Sequence, residues 1–171
     1  MRFTREHRPE FLQAHTGMLL EWEGVEHHLL VIFAALVRAA SPEVSSAVFH
    51  PATTVKTRLT MIDAAARVFL RDGELYLEWR ALSDRVSAEA KHSGLALFAA
   101  VQNTDARYEI SPRLESTGHD VAANPNDAYD LRQIRQWRDR YRSLAADLHG
   151  FLARVENALA IAGAPPRLSE V

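Results

Sequence analysis

The sequence predicts an all-α protein: an up-and-down bundle of four main helices, with an extra short helix and a small β-hairpin insert. Three observations carry that prediction. Apolar residues recur in steps of three and four over most of the 171 positions. Cap residues, prolines and glycines interrupt that rhythm at helix-length intervals. Strand-like composition is confined to one short segment that follows Gly94.

The first helix is predicted from Pro9 to about Ala40. Phe11, His15, Met18, Trp22, Val25, Leu29, Ile32 and Leu36 form its stripe. Leu19 and Phe33 widen that stripe beyond a single seam, which suggests two neighbours, the bundle core and a second subunit. Ser41-Pro42-Glu43 then reads as a helix start, with serine as cap, proline at the first position and an acid in the first turn. His50-Pro51 ends this short helix, because the residue before a proline is pushed out of the α region.

A new start at Thr53 or Thr54 opens a helix to about Leu70, with Val55, Leu59, Ile62, Ala66 and Phe69 on its inner side. Arg71-Asp72-Gly73 is the turn. The central helix runs from Glu74 to His92, with Leu75, Trp79, Leu82 and Val86 as its apolar side. Ser93-Gly94 is the expected stop. A hairpin follows at about residues 95–111, and residues 112–126 read as a loop. The last helix begins near Asn126 and reaches about Ala162 through Ile134, Trp137, Tyr141, Leu144, Leu148, Phe151, Val155 and Ala158. Gly163-Ala164-Pro165-Pro166 ends it and leaves a short tail.

Length and composition fit one domain spanning 1–171, with a helical core over about 9–162. Hydrophobic residues make up 47% and charged ones 25%, ordinary values for a globular chain. A net charge of -2 argues against a strongly basic nucleic-acid binder, and no DNA partner is expected. Cysteine is absent, which excludes disulfides, thiolate nucleophiles and cysteine-bound zinc. The start, Met1-Arg2-Phe3-Thr4-Arg5-Glu6-His7, lacks an apolar signal core. Leu29 to Val37 is the longest apolar run and is too short to span a bilayer. The expected setting is the cytoplasm, away from membranes.

Chemistry is legible in one stretch, Leu82-Ser83-Asp84-Arg85-Val86-Ser87-Ala88-Glu89-Ala90-Lys91-His92-Ser93-Gly94. Arg85 and His92 are seven positions apart, close to two turns at about 3.6 residues per turn, so both leave one helix face roughly 10.5 Å apart. At a helix end, His92 would sit beside the negative pole of the dipole, which favours the imidazolium.

An arginine, a spacer of four to six residues and a histidine near a helix end, in an all-helical chain of this size, resemble the motif of the HEPN superfamily. Here the spacer is Val86 to Lys91. The commonest register of that motif falls on Ser87 and Ala88, and the longest spacing falls on Arg85. The resemblance runs from about residue 10 to 160. It implies an up-and-down bundle that pairs as a homodimer, bringing two Arg/His sets together, and RNA cleavage without metal or cofactor. On that resemblance Arg85 would hold the scissile phosphate and His92 would move protons to or from the ribose 2′-hydroxyl or the leaving oxygen. Glu26, Ser87 and Lys91 are the candidate substrate-binding residues. Two other outcomes share the resemblance: a non-catalytic module that binds a ligand or protein partner, and a toxin-antitoxin or defence component.

Glu26 interrupts the widened face of the first helix, between Trp22 and Leu29. A carboxylate buried there needs a partner, for which Arg85 or His92 are candidates; at the edge it would face water. Arg132, Arg135, Arg138, Arg140 and Arg142 line the last helix, diluted by Asp130, Asp139 and Asp147, and read as a solvated face ahead of an RNA track. No metal centre is expected. Glu89-Ala90-Lys91-His92 is a lone Glu-x-x-His, and His27 and His28 point about 100° apart on a helix. His7, His15, His50, His119 and His149 make no ligand pattern.

Overall fold

The computed structural model describes residues 8–38, 41–70, 73–97, 99–104, 107–112 and 131–163. Five helices lie among them: α1 (Arg8–Val37), α2 (Pro42–Phe49), α3 (Val55–Leu70), α4 (Glu74–Leu97) and α5 (Leu131–Gly163). The backbone of β1 (Ala99–Thr104) pairs antiparallel with β2 (Arg107–Pro112), Ala99 opposite Pro112 and Thr104 opposite Arg107. The expected loop beyond Pro112, the first turn of the last helix and the tail fall outside the described residues.

Local chemistry explains most boundaries. Ser41 has extended backbone angles, and its hydroxyl accepts from the Val44 amide at 3.4 Å. Ser41 also holds the Glu43 carboxyl below the usual carboxylate range, helped by the backbone amide of Glu43 itself. Thr54 caps α3, its hydroxyl accepting from the Thr57 amide at 3.1 Å. Arg38, just past α1, takes a φ of 49°, a left-handed conformation that stops the helix.

The chain divides into two compact units, one of residues 1–26 and 84–145, the other of 27–83 and 146–171. Helices α1, α4 and α5 contribute residues to both.

In the unit of 1–26 and 84–145, the inner faces are Phe11, Ala14, Met18, Trp22 and Val25 from α1, Val86 from α4, and Leu131, Ile134, Tyr141 and Leu144 from α5, all buried. The α1 seam passes through Ala14, and His15 lies half-buried beside it. Ion pairs from Arg135 to Glu10 and from Arg142 to Glu21 set these parts of α1 and α5 parallel. Contacts of Arg140 with Glu89 and Trp137 with His92 set α4 antiparallel to α5.

The unit of 27–83 and 146–171 contains parts of all five helices. Phe33 of α1 meets Phe49 of α2 at 5.4 Å, and Trp79 of α4 meets Phe151 of α5 at 6.0 Å. Thus one of the two residues that widen the α1 stripe has its second neighbour within the same chain. Leu59, Ile62, Ala65 and Ala66 are the buried residues of α3, whereas Phe69, expected inside, is 41% exposed. Tyr76 donates to Asp63, Arg67 donates to Tyr76 at 3.0 Å, and Arg67 pairs with Asp63 at 2.9 Å, which closes the α3–α4 hairpin. Here too α1 and α5 run parallel, with His28 against His149 and Arg38 reaching the Leu159 carbonyl. A strict alternation of four helices would make the first and last antiparallel. The eight residues of α2 stand between α1 and α3 in chain order.

Candidate functional site

Glu26, Arg85, Ser87, Lys91 and His92 all lie in the unit of 1–26 and 84–145. Arg85, Ser87 and Lys91 are exposed on α4; His92 and Glu26 are half-buried. Arg85 and His92 belong to one uninterrupted helix, so the two-turn spacing holds. The position of His92 within that helix does not match the expectation. Helix α4 continues through Ser93 and Gly94 to Leu97, which leaves His92 before the last turn and away from the carbonyl end of the dipole. Gly94 costs the helix about 1 kcal/mol, and the good helix formers Leu95, Ala96 and Leu97 carry it onward.

The His92 ring is stacked on Trp137 of α5, with centroids 5.1 Å apart and planes 18° from parallel. That contact fixes the plane of the imidazole and covers one of its faces. Glu26 accepts a 3.0 Å hydrogen bond from the Trp22 indole, one turn back on its own helix.

Two further buried polar groups lie in this unit. The Tyr141 hydroxyl is buried without a hydrogen-bond partner, and so is one carboxylate oxygen of Glu89. The other oxygen of Glu89 lies 3.8 Å from Arg140, a loose pair with the arginine 57% exposed. The Tyr141 ring meets Trp22 edge-on at 5.1 Å. Burial, and then the charge of Glu89, push the Tyr141 phenol well above the usual tyrosine range, while Arg140 pulls the other way. Glu89 stands three residues before His92 and four after Arg85, a same-side spacing that was available in the sequence. Tyr141 was legible only as one more member of an apolar stripe.

The arginine-rich face of α5 is largely occupied. Arg142 donates to Glu21 at 2.9 and 2.6 Å, Arg135 pairs with Glu10, and Arg138 grips its neighbour Asp139 at 2.9 Å. These guanidiniums tie α5 to α1 or neutralise a neighbouring carboxylate, in keeping with the solvated-face reading.

No protein family, curated protein or solved structure matches this chain. Among the described residues, no helix is long and apolar enough to cross a membrane, and no group of three or more potential ligands is arranged to hold a metal.

Proposed function

We propose that this chain is an HEPN-like helical module that acts by binding a partner without turnover. The observation that carries the reading is the His92–Trp137 stack within an unbroken α4. An imidazole clamped on an indole and set back from its helix end has a packing role that needs no reaction to explain it. The hairpin of β1 and β2 is read as an insert against the helices, since a lone two-stranded ribbon is marginal in water. Homodimerisation is part of the proposal, and the exposed Leu12 and Leu20 of α1 are its candidate contact. The test is incubation of the purified protein with mixed RNA, alongside sedimentation of the parent and of Leu20→Glu. The reading requires intact RNA and weakened self-association in the variant. New cyclic-phosphate ends would overturn it.

A second reading is favoured by the exposure of Arg85 and the partial openness of His92 on the same helix. In a dimer, the two Arg85/His92 sets would form a metal-independent ribonuclease. Arg85 would neutralise the phosphate and His92 would act as acid or base, leaving a 2′,3′-cyclic phosphate. Glu26, Ser87 and Lys91 would contact the RNA. Abolition of cleavage in Arg85→Ala and His92→Ala is required by this reading, and full activity in both variants excludes it. A toxin-antitoxin role would add growth arrest on expression, relieved by His92→Ala.

A further inference from the structure

In the unit of 27–83 and 146–171, three imidazoles follow one another. The rings of His27 and His28 lie 5.9 Å apart, and those of His28 and His149 lie 5.6 Å apart at 83°. His28 stands on α1 and His149 on α5, and the parallel course of these helices in this unit holds the two facing positions together. His28 is half-buried and His149 exposed, so solvent reaches the pair.

A neutral imidazole binds a first-row metal at about 2.0–2.1 Å, which places the centroids of two rings on one ion roughly 5–6 Å apart. The His28–His149 distance falls within that span. The His27–His28 distance does as well, but neighbours on a helix diverge by about 100°, which directs His27 away from a common ion. Two nitrogen donors without a carboxylate exclude the hard cations calcium and magnesium and suit copper, nickel or zinc.

We propose that His28 and His149 together form a surface site for one borderline divalent cation of the Zn2+, Ni2+ or Cu2+ class, with solvent completing its shell. Spacing along the chain hides such a site, because its two ligands are 121 positions apart. It is independent of the chemistry considered for Arg85 and His92.

The test is titration calorimetry of the full chain, free of any polyhistidine tag, with zinc, nickel and copper chlorides in turn. Saturable uptake of one equivalent is expected for at least one metal, weakened by at least about tenfold in both His28→Ala and His149→Ala. His50→Ala serves as the control and should bind as the parent does. With copper, electron paramagnetic resonance should show nitrogen coupling that diminishes in each variant. If an alanine variant loses helicity by circular dichroism, His28→Gln and His149→Gln replace it. Absence of uptake for all three metals, or uptake undiminished in both variants, overturns the site.

Discussion

The imidazole of His92 lies nearly parallel to the indole of Trp137, 5.1 Å away, and joins α4 to α5 in the unit of 1–26 and 84–145. Aromatic stacks of this kind contribute about 0.5–1.5 kcal/mol beyond area burial. His92→Ala should therefore lower the unfolding free energy by about that amount or somewhat more. Urea denaturation followed by tryptophan fluorescence measures it. A variant as stable as the parent would remove the packing role on which the binding reading rests.

Gly94 tests the extension of α4. If the helix passes through residue 94, Gly94→Ala should stabilise by roughly 0.5–1 kcal/mol, because alanine loses less backbone freedom on folding. At the helix stop expected from the sequence, with a left-handed glycine, the same change would destabilise. The sign of the shift in thermal midpoint decides between the two.

Tyr141→Phe removes a buried hydroxyl without a hydrogen-bond partner. Stability at neutral pH should be unchanged or higher by up to about 1–2 kcal/mol, since no bond is lost and a desolvated polar group is removed. A clear loss would mean that the hydroxyl is satisfied in solution.

The same residue governs alkaline behaviour. Its phenol is held above the usual range, so the folded state keeps the proton more tightly than the unfolded chain. Its contribution is fully present below about pH 10 and is lost as pH rises above that value. Denaturation midpoints between pH 9 and pH 11, on the order of the unfolded tyrosine pKa, should fall less in Tyr141→Phe than in the parent.

Arg142→Ala should have a small effect. The arginine is 60% exposed and Glu21 26%, and exposed pairs contribute about 0.2–1 kcal/mol, screened by salt. The loss should shrink when denaturation is repeated at high salt.

Much of the helical framework was legible because periodicity records which face is buried. Trp22, Val25, Leu29, Ile32, Leu144, Leu148 and Phe151 stand in the predicted stripes and are buried. Phe69 fits the same rhythm yet is exposed, because periodicity marks a face without revealing whether a neighbour reaches its end. Glu26 was readable as a carboxylate that needs a partner if buried or faces water at an edge, and its bond from Trp22 came from side-chain geometry. The caps at Ser41 and Thr54 were readable because a hydroxyl and an amide three residues apart interact locally.

By itself the sequence determined what is local: that this chain forms helices, where most of them start, which sides are apolar, and that Arg85 and His92 share a face two turns apart. Tertiary structure decided what depends on distant residues meeting. It set Trp137 against His92, left the Tyr141 hydroxyl buried without a hydrogen-bond partner, used arginines of α5 to tie down α1, and placed His28 next to His149. The physical reason is range. Backbone hydrogen bonds and hydrophobic periodicity act within a few residues, whereas stacking, ion pairing and ligand geometry are fixed only when separate helices pack.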